Sequence, residues 1–168
     1  MTLADASRTS FQLAWWIKAP PDRVFGAWTK PSELGWFYND AMPVPDEPIE
    51  VDLRVGGAWR LMMVIDASTR YFTGGVYREI VPNQKLVFAW GAVDGWPEID
   101  LERLDDAPLA TVNFAPVDGG TKLIVDVEIP AGMSTADARE RLLRAMRSGW
   151  RDTVDRLQLK YSPIDVAG

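Results

Sequence analysis

Cysteine and histidine, two residue types that often serve in catalysis and metal binding, are absent from this 168-residue chain. Without cysteine there is no disulfide and no thiolate chemistry. Without histidine, a Ser-His-Asp triad cannot be built, and nearly every common zinc site is excluded. The sequence also contains no DxDxDG-type loop for calcium. We therefore expect no metal and no cofactor, and any acid–base chemistry must use Asp, Glu, Lys, Tyr or water.

The chain also lacks an apolar run long enough to cross a bilayer, and its first ten residues have neither the basic start nor the apolar core of a secretory signal. We therefore expect no membrane partner and a cytoplasmic location. The formal net charge of −6 argues against nucleic acid as the main partner, because surfaces that bind nucleic acid carry excess positive charge. The length favours a single domain with a sizeable core.

What the chain does have is a stretch rich in aromatic residues and paired glycines, Gly56 to Trp90. It contains three successive strand-like runs, GGAWRLMMVI, TRYFTGGVYREI and QKLVFAW. The pair Gly56-Gly57 opens the first run, and Gly74-Gly75 interrupts the second. Because glycine inside a strand weakens it unless curvature or close approach is needed, these pairs predict a curved sheet.

The strands and short helices outside this stretch follow from hydrophobic periodicity. Phe11 to Lys18 alternates like a half-buried strand, and Asp22 to Thr29 and Ser32 to Phe37 have helical spacing. Two later strands, Leu109 to Val117 and Thr121 to Ile129, are joined by Asp-Gly-Gly, which is a strong hairpin signal. Between the two groups of strands lies an acidic segment without clear periodicity. It holds either one short strand near Ile99 to Leu104 or a mobile flap.

A long helix is predicted near the end of the chain. Ser134 begins it with Asp137 as a partner in a capping box, and it runs to about Tyr161. A row of arginines lies off its apolar stripe and is expected to form a solvated face. These are Arg144, Arg147 and Arg151.

The order of these elements predicts a single α+β domain. A curved antiparallel sheet of about six or seven strands wraps around the long C-terminal helix, and two short helices follow the first strand. The core extends over about residues 11–161, and we expect residues 1–8 and 162–168 to be flexible tails. The space between the sheet and the helix is a natural place for a cavity.

Several short motifs, taken together, resemble a known family. They are Ile17 to Phe25 with Trp28, Asp52 to Arg60, Gly75 to Ile80, Lys85 to Trp90, Gly120 to Leu123, and Gly149-Trp150 with Leu157. In order and spacing they are similar to the START/Bet v 1-like (SRPBCC) superfamily, in the branch named after the activator of the heat-shock protein 90 ATPase. The resemblance implies a helix-grip fold. Its members bind hydrophobic small molecules or act as co-chaperones and share no catalytic motif, so it implies fold more firmly than function. The segment Ala92 to Pro108 is longer than is usual in the family.

Aromatic residues supply most candidates for the wall of a ligand-binding cavity. The candidates are Trp28, Trp59, Tyr71, Tyr77, Glu79, Phe88, Trp90, Met146 and Trp150. The alternative for each aromatic residue is plain core packing. Gly149, inside the long helix, indicates either close packing against the sheet or room for a ligand. Arg60 and Glu79 either orient a ligand from inside the cavity or form surface salt bridges, because bulges near the glycine pairs make their faces uncertain.

Three hypotheses for function follow. The leading one is binding of a hydrophobic, aromatic or polyketide-like small molecule without covalent chemistry. The second is a co-chaperone-like protein that acts through its surface, with a protein partner or as a homodimer. The third is a cyclase or hydrolase that works by positioning, with a carboxylate such as Glu79 as its base; the version with Glu79 requires Glu79 to lie inside the cavity. The absence of histidine and cysteine favours a protein that is not an enzyme.

Overall fold

One antiparallel sheet of seven strands organises the computed structural model, which describes residues 10–130 and 136–161. The strands are β1 Ser10–Ile17, β2 Glu50–Val51, β3 Ala58–Asp66, β4 Thr69–Val81, β5 Lys85–Trp90, β6 Leu109–Val117 and β7 Gly120–Glu128. Their order across the sheet is β1-β7-β6-β5-β4-β3-β2. The first and last strands in the chain, β1 and β7, are therefore neighbours and pair antiparallel.

Within the described residues, two helices and two short 3₁₀ segments complete the fold. Helix α1 spans Pro21–Thr29, and the 3₁₀ helix Pro31–Phe37 follows it directly. A second 3₁₀ turn spans Leu104–Asp106, and the long helix α2 spans Ala136–Tyr161. The predicted helix-grip architecture is confirmed, including the two short helices after β1. None of the helices within the described residues has the length and apolar character needed to span a membrane.

Some predictions concern parts of the chain outside the described residues. The predicted start of the long helix at Ser134 is one of them, and the capping contact between Ser134 and Asp137 falls outside with it. The segments predicted to be flexible tails, 1–8 and 162–168, also lie outside.

The β6–β7 hairpin forms as its turn residues predict. Val117 pairs with Gly120, so Asp118 and Gly119 form a two-residue loop. Both loop residues have positive φ, 42° for Asp118 and 80° for Gly119. This is the conformation that matches the twist of the flanking strands, and aspartate and glycine tolerate it best.

Helix α2 covers one face of the sheet, which we call the inner face. Its buried stripe, Met146, Trp150, Val154 and Leu157, packs in one cluster with inward-facing side chains of the strands. Polar contacts fix the position of the helix. Trp15 Nε1 donates to Asp155 Oδ1 at 2.8 Å. The guanidinium of Arg156 donates to the last carbonyls of the first 3₁₀ helix, at 3.0 and 2.7 Å.

The acidic segment 91–108 lies against the opposite face of the sheet, which we call the outer face. Ile99 and Ala107 pack there on Val76 and Ala89, in a cluster separate from the main core. The segment contains no strand of its own near Ile99 to Leu104, so that prediction is wrong. Isolated bridges join Phe72 to Gly95 and Ala92 to Glu98. Backbone hydrogen bonds to β4, such as Gly91 N–H to the Gly74 carbonyl at 2.9 Å, hold the segment together with its buried apolar side chains.

Candidate functional site

A small cavity lies between the inner face of the sheet and α2. Its volume is about 80 Å³. Five aromatic residues line it: Phe37, Tyr71, Trp90, Trp96 and Trp150. Met63 and Met146 add flexible apolar surface. Such a lining favours an apolar occupant over a charged one, since none of the described lining residues carries a charge.

Four of the predicted site residues line this cavity, namely Tyr71, Trp90, Met146 and Trp150. They come from β4, β5 and α2, so the tertiary fold brings together residues that are far apart in sequence. Whether they bind a ligand stays a prediction.

The structure places four further candidates in the core and not along the cavity wall. Trp28 stacks on Trp150, with centroids 6.2 Å apart and an interplanar angle of 14°. Phe88 meets Trp59 edge to face at 5.4 Å, and Tyr77 likewise at 6.5 Å. These rings fill one another's space, because edge-to-face packing leaves no gap between them.

Glu79 lies outside the cavity, so the prediction that it forms part of the wall is wrong. The β4–β5 register shifts between Tyr77 and Glu79, so the two side chains do not share a face as they would in a regular strand. The Glu79 side chain is exposed, and its Oε2 lies 3.3 Å from Lys85 Nζ. The enzyme hypothesis with Glu79 as a base is therefore wrong. Arg60 also points away from the cavity, with its guanidinium carbon 3.5 Å from the centroid of the Phe72 ring.

Trp96 forms part of the cavity wall that periodicity did not identify. It lies in the segment without clear pattern and stands at the mouth with 42% of its side chain exposed. Its ring packs edge to face against Trp90 at 5.6 Å and against Tyr71 at 6.1 Å. The backbone N–H of Trp96 donates to the carbonyl of Phe72 at 2.8 Å, which holds the loop against β4. This position depends on the part of β4 that extends beyond its pairing with β5, where the Phe72 carbonyl accepts from Trp96, and a sequence pattern carries no signal for it.

The polar groups at the cavity are few and neutral. Trp90 Nε1 donates to Thr73 Oγ1 at 3.1 Å. Burial raises the pKa of the Tyr71 phenol, so it stays protonated at neutral pH. The indole N–H of Trp150 is buried without a hydrogen-bond partner among the described residues. This set can orient a neutral ligand, and the Tyr71 phenol is the one ionisable group among the described lining residues. Within the described parts of the chain, no cluster of three or more carboxylates could hold a metal ion.

Gly149 leaves open space at the helix side of the cavity. A Cβ built on Gly149 would meet no heavy atom within 4 Å. Of the two alternatives given for this glycine, close packing of helix on sheet is therefore not the one the structure has. Ala145, one turn earlier, is also small and lines the same side. Because both side chains are small, the α2 side of the cavity opening is not obstructed at these two positions.

The family model described as Activator of Hsp90 ATPase homolog 1-like protein matches residues 18–159. Among curated proteins, none matches the chain.

Solved structures with similar folds come from several bacteria. Protein Ms6760 from Mycobacterium smegmatis has a TM-score of 0.73 at 17% identity, with 94% of each chain covered. An uncharacterized protein from Rhizobium leguminosarum has a TM-score of 0.65 at 27% identity, with 89% of this chain and 91% of that chain covered. The Aha1 dimer from Colwellia psychrerythraea has a TM-score of 0.64 at 10% identity, covering 93% of this chain and 98% of that chain. At 17% and 10% identity, the first and third of these likenesses carry the fold and not the function.

Proposed function

This chain belongs to the family of Activator of Hsp90 ATPase homolog 1-like proteins, and from that premise we propose that it binds a small apolar molecule between its sheet and α2. Binding is non-covalent, because the lining offers aromatic, aliphatic and neutral polar groups only. The ligand is aromatic or otherwise planar, since rings pack well against the tryptophan-rich wall.

Gly149 is the observation that carries this proposal. It lies in the interior of α2, where glycine costs about 1 kcal/mol of helix stability relative to alanine. Neither close packing nor a left-handed backbone requires it, because a Cβ there would meet open space and its φ is not positive. A residue that weakens the helix while leaving the cavity mouth open supports a role in admitting a ligand.

The size of the cavity limits how the ligand fits. The cavity volume of about 80 Å³ is too small for a benzene ring, since an engineered cavity that binds benzene has a volume of roughly 150 Å³. Binding a ring therefore requires the wall to move. Met63 and Met146 have three rotatable bonds each, and the half-exposed Trp96 lies on a loop. These are the groups whose displacement enlarges the cavity.

Calorimetric titration with indole, together with native mass spectrometry of the purified protein, tests the proposal. We expect saturable binding of indole by the wild-type protein. Gly149→Phe places a ring at the mouth and should weaken binding by at least about tenfold, which is about 1.4 kcal/mol. Ser148→Phe is the matched control, because Ser148 is exposed and does not line the cavity.

The two phenylalanine variants separate the proposal from a general effect of added bulk. Equal loss of binding in both would point to a disturbed helix and not to a blocked mouth. If the wild-type protein neither retains a ligand nor binds indole, the proposal fails.

A second candidate function is action on a chaperone through the protein surface. The mostly filled core favours it, since a cavity of about 80 Å³ leaves little room for a ligand. The family description supports an Hsp90-type chaperone as the partner, and the Aha1 dimer among similar structures supports a homodimer as the active form. A change in the ATPase rate of such a chaperone on adding this protein would support the candidate, and no change together with no binding would remove it. Sedimentation of the protein alone checks the homodimer. Both candidate functions assume a cytoplasmic location, which fractionation of cells would check.

A further inference from the structure

A second cleft opens on the outer face of the sheet, away from the cavity under α2. It lies between β3 and the segment 91–101 and has a volume of about 360 Å³. Val76, which is buried, forms part of its floor. An apolar wall consists of Ile99, which is buried, and of Val93 and Leu101, which are exposed. The volume is within the range of about 300–1,000 Å³ that small-molecule sites occupy. This cleft is thus better matched to a ligand in size than the inner cavity.

Arg60 places a positive charge at this cleft. Its half-buried side chain lies on the outer face of β3, and its guanidinium carbon is 3.5 Å from the centroid of the Phe72 ring. That contact fixes the guanidinium in place and lowers the entropy lost on binding an anion.

Among the residues that the structure describes, no carboxylate lies within 4.0 Å of the Arg60 guanidinium. This holds although Glu50 stands directly opposite Arg60 in the β2–β3 register. A half-buried guanidinium ordinarily finds an anion, because its five N–H donors fit a carboxylate well. By contrast, Arg78 of β4 pairs with Asp105 at 3.3 Å, and Arg103 of segment 91–108 pairs with Asp106 at 2.7 Å. Arg60 therefore has an open position for an external carboxylate.

Asp94 lines the same cleft, and its carboxylate limits how much negative charge a ligand there can carry. A second negative charge on the ligand would be repelled by this carboxylate. We propose that the outer cleft binds a small monocarboxylate with an apolar body of one or two rings, whose carboxylate pairs with Arg60 and whose body covers Val76, Ile99 and Leu101. This site is independent of ligand binding under α2.

A ¹H–¹⁵N NMR titration tests this inference, with benzoate as the probe and benzamide as its uncharged isostere. We expect saturable shifts of the backbone amides of Val76, Val93 and Leu101. Benzoate should bind about tenfold more tightly than benzamide, since only benzoate forms the charge-assisted pair. The amide of Gly149 reports separately on the inner cavity, so failure of one site is distinguishable from failure of the other.

Three variants sharpen the test. Arg60→Met keeps an apolar stem beside Phe72 and removes the charge, so benzoate binding should fall about tenfold, to the level of benzamide. Arg78→Met is the matched control, because Arg78 lies outside this cleft and is paired with Asp105; it should leave binding unchanged. Asp94→Asn should strengthen benzoate binding several-fold and leave benzamide binding as it is, because it removes a like charge.

The inference is overturned if benzoate and benzamide bind equally, if Arg60→Met binds benzoate like the wild type, or if only the Gly149 amide shifts. Thermal melting shows whether the Arg60→Met variant keeps its fold. If it does not, the Asp94→Asn variant decides, since no gain in benzoate affinity there contradicts an anion site beside Asp94.

Discussion

Gly149→Ala should stabilise the protein, which is an unusual outcome for a change beside a proposed binding site. Alanine is favoured over glycine inside a helix by about 0.8–1.0 kcal/mol, because glycine loses more backbone freedom on folding. No opposing term exists, since the added methyl group meets no heavy atom within 4 Å. Gly149 is exposed, so burial of the new methyl adds little. The expected gain in the free energy of unfolding is therefore about 1 kcal/mol.

Urea denaturation followed by far-ultraviolet circular dichroism measures this change. We expect a higher midpoint concentration with an unchanged slope, because the substitution alters stability without altering the surface exposed on unfolding. In a thermal scan the same gain raises Tm by roughly 2–4 °C for a domain of this size. A loss of stability would refute the reasoning, since it would mean that the space beside Gly149 is filled.

The same substitution at Gly75 should have the opposite sign and serves as the matched comparison. A Cβ on Gly75 would lie 2.6 Å from Phe88 Cδ2 and 2.8 Å from Trp59 Nε1. Both neighbours are buried in the aromatic core and cannot move without disturbing other rings. Overpacking of this kind costs about 1–3 kcal/mol, so Gly75→Ala should lower the urea midpoint. Equal changes in the urea midpoint for Gly149→Ala and Gly75→Ala would show that local packing does not determine the effect of either substitution on stability.

Three further substitutions test the contacts that hold α2 and the core. Arg156→Met should lower the free energy of unfolding in urea by about 2–4 kcal/mol, because it removes hydrogen bonds to the carbonyls of the first 3₁₀ helix. Asp155→Ala should cost about 1–2 kcal/mol in the same assay by leaving the Trp15 N–H without its acceptor, whereas Asp155→Asn, which keeps an acceptor oxygen, should cost less. Tyr77→Phe should leave stability at pH 7 unchanged or higher, because the buried hydroxyl has no partner among the described residues. Burial raises the pKa of Tyr77 above its ordinary value of 10.0, so the unfolded chain releases the phenolic proton first and the free energy of unfolding falls above pH 10. In urea titrations across that pH range, this fall should be shallower for Tyr77→Phe than for the wild type.

The fold followed from local sequence signals to a large extent. The alternation from Phe11 onward predicted β1, and the Asp-Gly-Gly turn predicted the β6–β7 hairpin. These elements are readable because each depends on a period or a turn that its own residues impose. The acidic segment was not readable in this way, since it is held by Ile99 and Ala107 against distant strands and not by any pattern of its own.

The site could be predicted only in part. Trp90 and Trp150 were identified because inward-facing aromatic residues on β5 and α2 must meet across the core. Glu79 was misplaced because a one-residue register shift in β4 reverses the face of every following side chain. Whether an aromatic ring packs against its neighbours or lines a space depends on a gap of a few ångströms, which no alternation pattern encodes.

The sequence by itself determined the excluded chemistry and the overall architecture. A chain without cysteine and histidine cannot build thiolate or imidazole chemistry, whatever its fold. Its periodicities specify a sheet and a long amphipathic helix that must bury their apolar sides against each other. Only the tertiary structure decided that the cavity is small, that Gly149 faces open space, and that Arg60, at an outer cleft, has no carboxylate within 4.0 Å among the described residues. Those features depend on distances between residues far apart in the chain, and such distances are set by how the elements pack and not by the residues of any one element.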